Sequence, residues 1–220
     1  MNCLLIPGVG VIPEDYVQVR NLFLEHGENL KILDSREILN KKKWDSNSLV
    51  DAINSFNHNT KIDYLIGVSL GGAVAIEYAL NCPKKVNNLV LISPHLKQID
   101  NYFIKIIHRL SEASDQNVKS GFSLKGVLTF IGRYLSRLKI IKKELSLIGE
   151  LNFFKNDFLL FTKTFFLLGE LDKTCPIKNY QAIKSKFINH TLTLIPNVGH
   201  EWSDDLGLLE ENIKKIGIFR

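Results

Sequence analysis

Short apolar runs alternate with amphipathic stretches along most of the chain. The runs Asn2–Ile6, 30–33, 64–66, 88–92, 165–168 and 191–195 have the length and composition of buried strands. Between them lie helical patterns. Pro13 opens one at a first-turn position, with Glu14 and Asp15 suiting its N-terminal dipole and Gly27 closing it. Tyr16, Val19 and Phe23 give that helix one buried face. Asp45-Ser46 predicts the cap of a second helix, on which Leu49, Ile53 and Phe56 line up. A third, rich in Ala, follows the run at 64–66 and stops at Cys82-Pro83. A fourth is expected from Pro176 to about Phe187. The last starts near Ser203, with Asp204 and Asp205 in its first turn, Leu206, Leu209, Ile213 and Ile216 on one face, and Lys214, Lys215 and Gly217 at its end. Strands alternating with helices predict the α/β class: a mostly parallel six-stranded sheet with helices on both faces. The alternation breaks over residues 97–157, which show helical pattern and no convincing strand. The expected organisation is therefore a core of 1–96 and 158–220 carrying a helical insert at 97–157. No internal repeat or low-complexity segment interrupts it.

The stretch IDYLIGVSLGGAVAIEY (residues 62–78) passes from strand to helix through Gly67-Val68-Ser69-Leu70-Gly71. G-x-S-x-G in strand–turn–helix context puts a serine hydroxyl at the top of a sheet. The turn is sharp, so Gly67, Gly71 and Gly72 are where side chains would collide. On this motif the sequence resembles the α/β-hydrolase superfamily, in a short form. It lacks the two strands that relatives usually carry ahead of the first one here. After Leu33, Asp34-Ser35-Arg36-Glu37 also lacks the D-x-x-G-x-G pattern of many relatives.

A serine hydroxyl near neutral pH needs a base, and the base needs a carboxylate to hold its tautomer. The superfamily supplies them in the order Ser, acid, His. After the fifth run comes GELDKTCP (residues 169–176), which resembles the family's G-x-x-D-x-x-x-P acid loop. After the sixth comes Pro196-Asn197-Val198-Gly199-His200, matching its G-H loop. The resemblance thus implies Ser69 as nucleophile, His200 as general base then acid, and Asp172 as orienting carboxylate. Glu170 is the rival acid, disfavoured by the motif spacing. Each residue also has a plainer reading: a turn serine, a cap for the Pro176 helix, a loop histidine. Two N–H donors are needed for the oxyanion. The resemblance implies the amide of Leu70 and, from Pro7-Gly8-Val9-Gly10, that of Val9; Pro7 stands where relatives carry His. That loop has neither G-x-G-x-x-G spacing nor a P-loop lysine, which argues against phosphate binding.

Composition narrows the alternatives. The 220 residues suit one domain and an ordinary globular core. Cys3, Cys82 and Cys175 are odd in number and scattered, against a disulfide framework and consistent with a reducing cytoplasm. Cys175 reads as a small buried filler rather than a redox thiol. The first apolar run is too short for a signal peptide, and none approaches the length of a membrane span. His26, His58, His108 and His190 show no pairing that suggests a metal, and no cofactor is expected. His95 and Trp202 are each open to two readings: His95 as pocket lining or solvated loop, Trp202 as substrate wall or packing for the last helix.

The insert at 97–157 sits where the superfamily commonly places a cap. Its residues include apolar sets at Phe103, Ile106, Ile107, Leu110 and at Phe122, Leu124, Val127, Leu128, Phe130. It also carries eleven Lys and Arg against six Asp and Glu, an excess equal to the +5 of the whole chain. Arg133, Arg137, Lys139, Lys142 and Lys143 form the densest group. The bland reading is a solvated face; the sharper one is a basic rim for an acidic partner or an anionic membrane surface. The expected activity is hydrolysis of an ester or thioester of a hydrophobic acyl group through an acyl-enzyme on Ser69. A nucleophilic serine argues against the aspartate-dependent dehalogenase-like and epoxide-hydrolase-like relatives. The rival within enzymes is an acyl-carrier-protein-dependent thioesterase or methyl esterase, similar to the pimeloyl-carrier methyl ester esterases. The rival outside enzymes is a non-catalytic scaffold. The substrate expected is a small or carrier-bound acyl compound, with no nucleic acid partner.

Overall fold

The computed structural model describes residues 1–8, 10–34, 46–97, 153 and 157–219. Within them six strands form one sheet: β1 Asn2–Ile6, β2 Asn29–Ile32, β3 Ile62–Val68, β4 Val86–Ile92, β5 Lys163–Gly169 and β6 His190–Ile195. Their order is β2-β1-β3-β4-β5-β6. Every neighbouring pair is parallel, so the mostly parallel sheet expected from the pattern is parallel throughout the described residues.

Side-chain alternation assigns the strands to two packed layers. Leu4, Leu65, Leu89, Leu91, Phe166 and Leu168 face a layer built with α2 (Ser46–Phe56), α3 (Leu70–Asn81) and α4 (Ile177–Ile183). Cys3, Leu5, Ile66, Val90, Ile92, Phe165 and Leu167 face the other, built with α1 (Val17–Glu25) and α5 (Leu206–Lys215). Leu5, Ile66, Val90 and Phe165 are register partners in one row across four strands. A slip of one residue would exchange the layers of a whole strand. Each such side chain contributes about 1.5–3 kcal/mol on burial, so that slip is heavily disfavoured.

Several element ends differ from the sequence expectation. Strands β3 and β4 start earlier, because the polar side chains at their first turns satisfy one another. Asp63 accepts hydrogen bonds from the Asn2 amide at 2.8 Å and from Asn87 Nδ2 at 3.0 Å. The Pro13 segment is a 3-10 turn, Pro13–Tyr16, before α1 begins. The Pro176 helix tightens to 3-10 at Lys184–Lys186 rather than running to Phe187. Asp205 lies just outside α5 and caps it, accepting from the Leu208 amide at 3.1 Å. Gly27 and Gly217 adopt φ of 73° and 81°, the left-handed geometry that ends a helix. Asp45 and the insert, apart from Lys97, Phe153 and Asp157, lie outside the described residues. Among the described residues no helix is long and apolar enough to cross a membrane.

The strand order reverses between β1 and β3. In open α/β sheets ligands bind at such a switch point, beyond the carboxyl ends of the strands. Here the Pro7-Gly8 turn and Ser69 emerge side by side: a Cβ placed on Gly8 would lie 3.4 Å from that of Ser69.

Candidate active site

Ser69 stands between β3 and α3 with φ 52° and ψ −113°, a region that L-residues avoid. Such strain persists only where the surroundings enforce it. They do so by close approach. A Cβ on Gly71 would sit 2.0 Å from the Ile6 carbonyl oxygen, and one on Gly67 2.5 Å from the Gly71 oxygen. The Ser69 amide donates to the Ile92 carbonyl at 2.9 Å, and its own carbonyl accepts from the His95 and Gly72 amides. Although Ser69 occupies the N-cap of α3, its hydroxyl makes no capping bond. It meets His200 Nε2 instead, at 3.0 Å.

The imidazole reaches that point from the loop after β6. Its Nδ1 lies 2.8 Å from Asp172 Oδ2, and both side chains are almost fully shielded from solvent. Asp172 sits in the loop after β5, where Oδ1 accepts from the Cys175 amide at 2.6 Å. The two loops fit because Gly169 has no side chain; a Cβ there would come 2.4 Å from the Gly199 oxygen. Glu170, the rival acid, points elsewhere: it is exposed and accepts from the Asn197 amide at 3.1 Å.

Burial pushes the Asp172 carboxyl up, but the His200 charge, its hydrogen bond and the Cys175 amide outweigh this and hold it below its ordinary value. The Ser93 hydroxyl, buried near that carboxylate, helps without forming a hydrogen bond of good geometry. Burial likewise disfavours a charged His200; the Cys175 sulfur and the Asp172 carboxylate overcome it and hold the imidazole well above its ordinary value. The arrangement can move a proton from a hydroxyl to an imidazole whose other nitrogen is fixed by a carboxylate.

Leu70 is the first residue of α3, where an N–H has no intrahelical acceptor. Val9, expected as the second donor, lies outside the described residues, as do Arg133, Arg137, Lys139, Lys142 and Lys143. His95 is not a solvated loop residue: it is buried, with Nδ1 3.8 Å from Cys175 Sγ. Trp202 is buried among the core side chains on the α1 and α5 face. What the sequence reading missed is this company around the carboxylate. Ser93, with φ 43°, and His95 follow β4, while Cys175 follows β5. The adjacency of those two strands, unknown before the sheet order, was the signal. Asp172, Cys175 and His200 also form the described group of His, Cys, Asp or Glu residues whose ligand atoms lie close enough, within 4.8 Å of one another, for a metal ion.

The sheet order and the solved structures similar to it give the chain the α/β-hydrolase fold. Residues 43–140 match a family model described as serine aminopeptidase, S33. That stretch is under half of the chain; it includes Ser69 and ends before Asp172 and His200. No curated protein matches the sequence. Among solved structures, a thermophilic esterase is 20% identical with a TM-score of 0.66, covering 98% of this chain and 90% of its own. Est816, described as an N-acyl homoserine lactone degrading enzyme, has a TM-score of 0.75 at 12% identity, covering 98% and 93%. A monoacylglycerol lipase of Paleococcus ferrophilus has a TM-score of 0.63 at 17% identity, covering 96% and 93%. At these identities the likeness is one of fold.

Proposed function

We propose that the protein is a serine hydrolase that cleaves a carboxylic ester or thioester of a hydrophobic acyl group through an acyl-enzyme on Ser69. The observation that carries this reading is the line Ser69 Oγ, His200, Asp172, with separations of 3.0 Å and 2.8 Å, at the carboxyl ends of three parallel strands. In the first half-reaction His200 Nε2 takes the Ser69 proton as Oγ attacks the acyl carbon. The same nitrogen returns that proton to the leaving alcohol or thiol. Water then repeats the sequence on the acyl-enzyme, and Asp172 stabilises the imidazolium each time. The Leu70 amide, with Val9 as its partner, binds the oxyanion. Esterases and a lipase among the structural neighbours agree with this chemistry. The family model's description raises amide hydrolysis as the competing outcome. A panel of p-nitrophenyl esters graded by chain length, run beside acyl-CoA thioesters and aminoacyl p-nitroanilides, tests the reading. Ester or thioester turnover that rises with acyl length is expected. Turnover confined to the anilides would replace it with a peptidase.

A second reading, a carrier-dependent thioesterase or methyl esterase, is favoured by the basic excess of residues 97–157. A small neutral ester gives no reason for that bias, whereas an acidic carrier protein does.

A further inference from the structure

We infer that Asp172, Cys175 and His200 form a site for a thiophilic divalent cation such as Zn2+, whose binding takes His200 out of service as a base. The last clause rests on the function proposed above; the site itself does not. The three side chains are buried and offer a carboxylate oxygen, a sulfur and an imidazole nitrogen within 4.8 Å of one another. That is a donor set for zinc, and the sulfur and nitrogen select against Mg2+ and Ca2+, which prefer oxygen alone. Zinc–ligand bonds of about 2.0–2.3 Å require small rotations from the present spacing. Part of the outer shell is already in place. The Cys175 amide holds Asp172 Oδ1 at 2.6 Å and so leaves Oδ2 as the ligand atom. Beyond the sulfur, His95 Nδ1 lies 3.8 Å from Cys175 Sγ, an outer-shell contact to that ligand.

Asp172 approaches His200 at Nδ1, so a cation shared with that carboxylate takes the imidazole through the same nitrogen. In the neutral imidazole the proton on Nδ1 then moves to Nε2, in the imidazolium it leaves to solvent, and in either case the Cys175 thiol releases one proton to solvent. The charge of the carboxylate does not change. Nε2, 3.0 Å from Ser69 Oγ, becomes a donor and can no longer accept the serine proton. Inhibition follows from the tautomer, without any movement of Ser69.

The test uses the intact chain stripped of metal. Co2+ is added first, and the near-ultraviolet thiolate-to-cobalt band is recorded for the wild type, Cys175→Ser and Cys175→Ala. Zn2+ is then titrated against fluorophosphonate labelling. The expected result is a cobalt band in the wild type that both variants lose, and Zn2+ that blocks labelling in the wild type. Each variant, normalised to its own metal-free rate, should need a concentration higher by more than the ~10–100-fold cost of losing an outer-shell partner. Absence of the band in the wild type overturns the site whatever the variants do. So does a band, or a zinc sensitivity, that survives loss of the sulfur. A metal-free protein that fluorophosphonate does not label would instead sink the serine-hydrolase reading, and the cobalt band would still judge the site.

Discussion

Two carboxylates two residues apart in one loop have opposite fates. Asp172 turns inward to His200, while Glu170 turns outward to the Asn197 amide. Asp172→Asn should therefore fold and bind substrate but lose about 10⁴ in kcat, since the amide favours the wrong imidazole tautomer. Glu170→Gln should be mild, and steady-state kinetics on both variants decides between them. The pH profile follows from the same pair. In the proposed role of base His200 must be neutral, and its environment holds it well above the ordinary value. The rate should accordingly be low at acid pH and rise through an apparent pKa above about 6.5, the unperturbed imidazole value. A rising limb in kcat/KM centred below that value would contradict the assignment. The stability contributions have opposite signs. The His200 contribution is full below its unfolded pKa and is lost as pH rises through the raised folded value. The Asp172 contribution is present above its unfolded pKa and is lost as pH falls through the lowered one.

Helices α3 and α5 both carry glycine near the start, but packing demands it only in α3. At Gly71 an added Cβ strikes the backbone oxygens of Ile6 and Pro7, whereas at Gly207 the nearest atom is Asp205 Oδ1 at 3.4 Å. Gly71→Ala should cost about 1–3 kcal/mol or more, because the atoms struck are main-chain. Gly207→Ala should be neutral or stabilising by up to about 1 kcal/mol. Urea denaturation of the two variants checks this; equal effects would mean that β1 and the start of α3 are less tightly joined than described. These elements were readable in the sequence where hydrophobic period and turn chemistry agreed, as at Asn2–Ile6 and around Ser69. They were not readable where the deciding partner lay far along the chain. The polar residues that extend β3 and β4 are satisfied across strands, and the 3-10 turn at Lys184–Lys186 has no apolar signature. The site divides in the same way. Ser69, Asp172 and His200 sit in local motifs that could be read in one dimension. The contact of His95 with Cys175 joins residues 80 apart and needed the strand order.

The charge of the molecule is unevenly spread, and its basic excess lies in residues 97–157. If that excess meets an acidic carrier, neutralising Arg133, Arg137, Lys139, Lys142 and Lys143 should raise KM for a carrier-bound acyl substrate and flatten its salt dependence. Hydrolysis of p-nitrophenyl butyrate should hardly change, because charge at a rim acts mainly on association rate. Equal losses on both substrates would point to damaged folding of the insert, and no loss on either to a solvated face. The central claim, a single acylated serine served by His200 and Asp172, is met most directly by mass analysis after fluorophosphonate treatment. One adduct is predicted, on the tryptic peptide containing Ser69, and it should vanish in Ser69→Ala. Labelling at Ser93, or labelling undiminished in the Ala variant, would contradict the account.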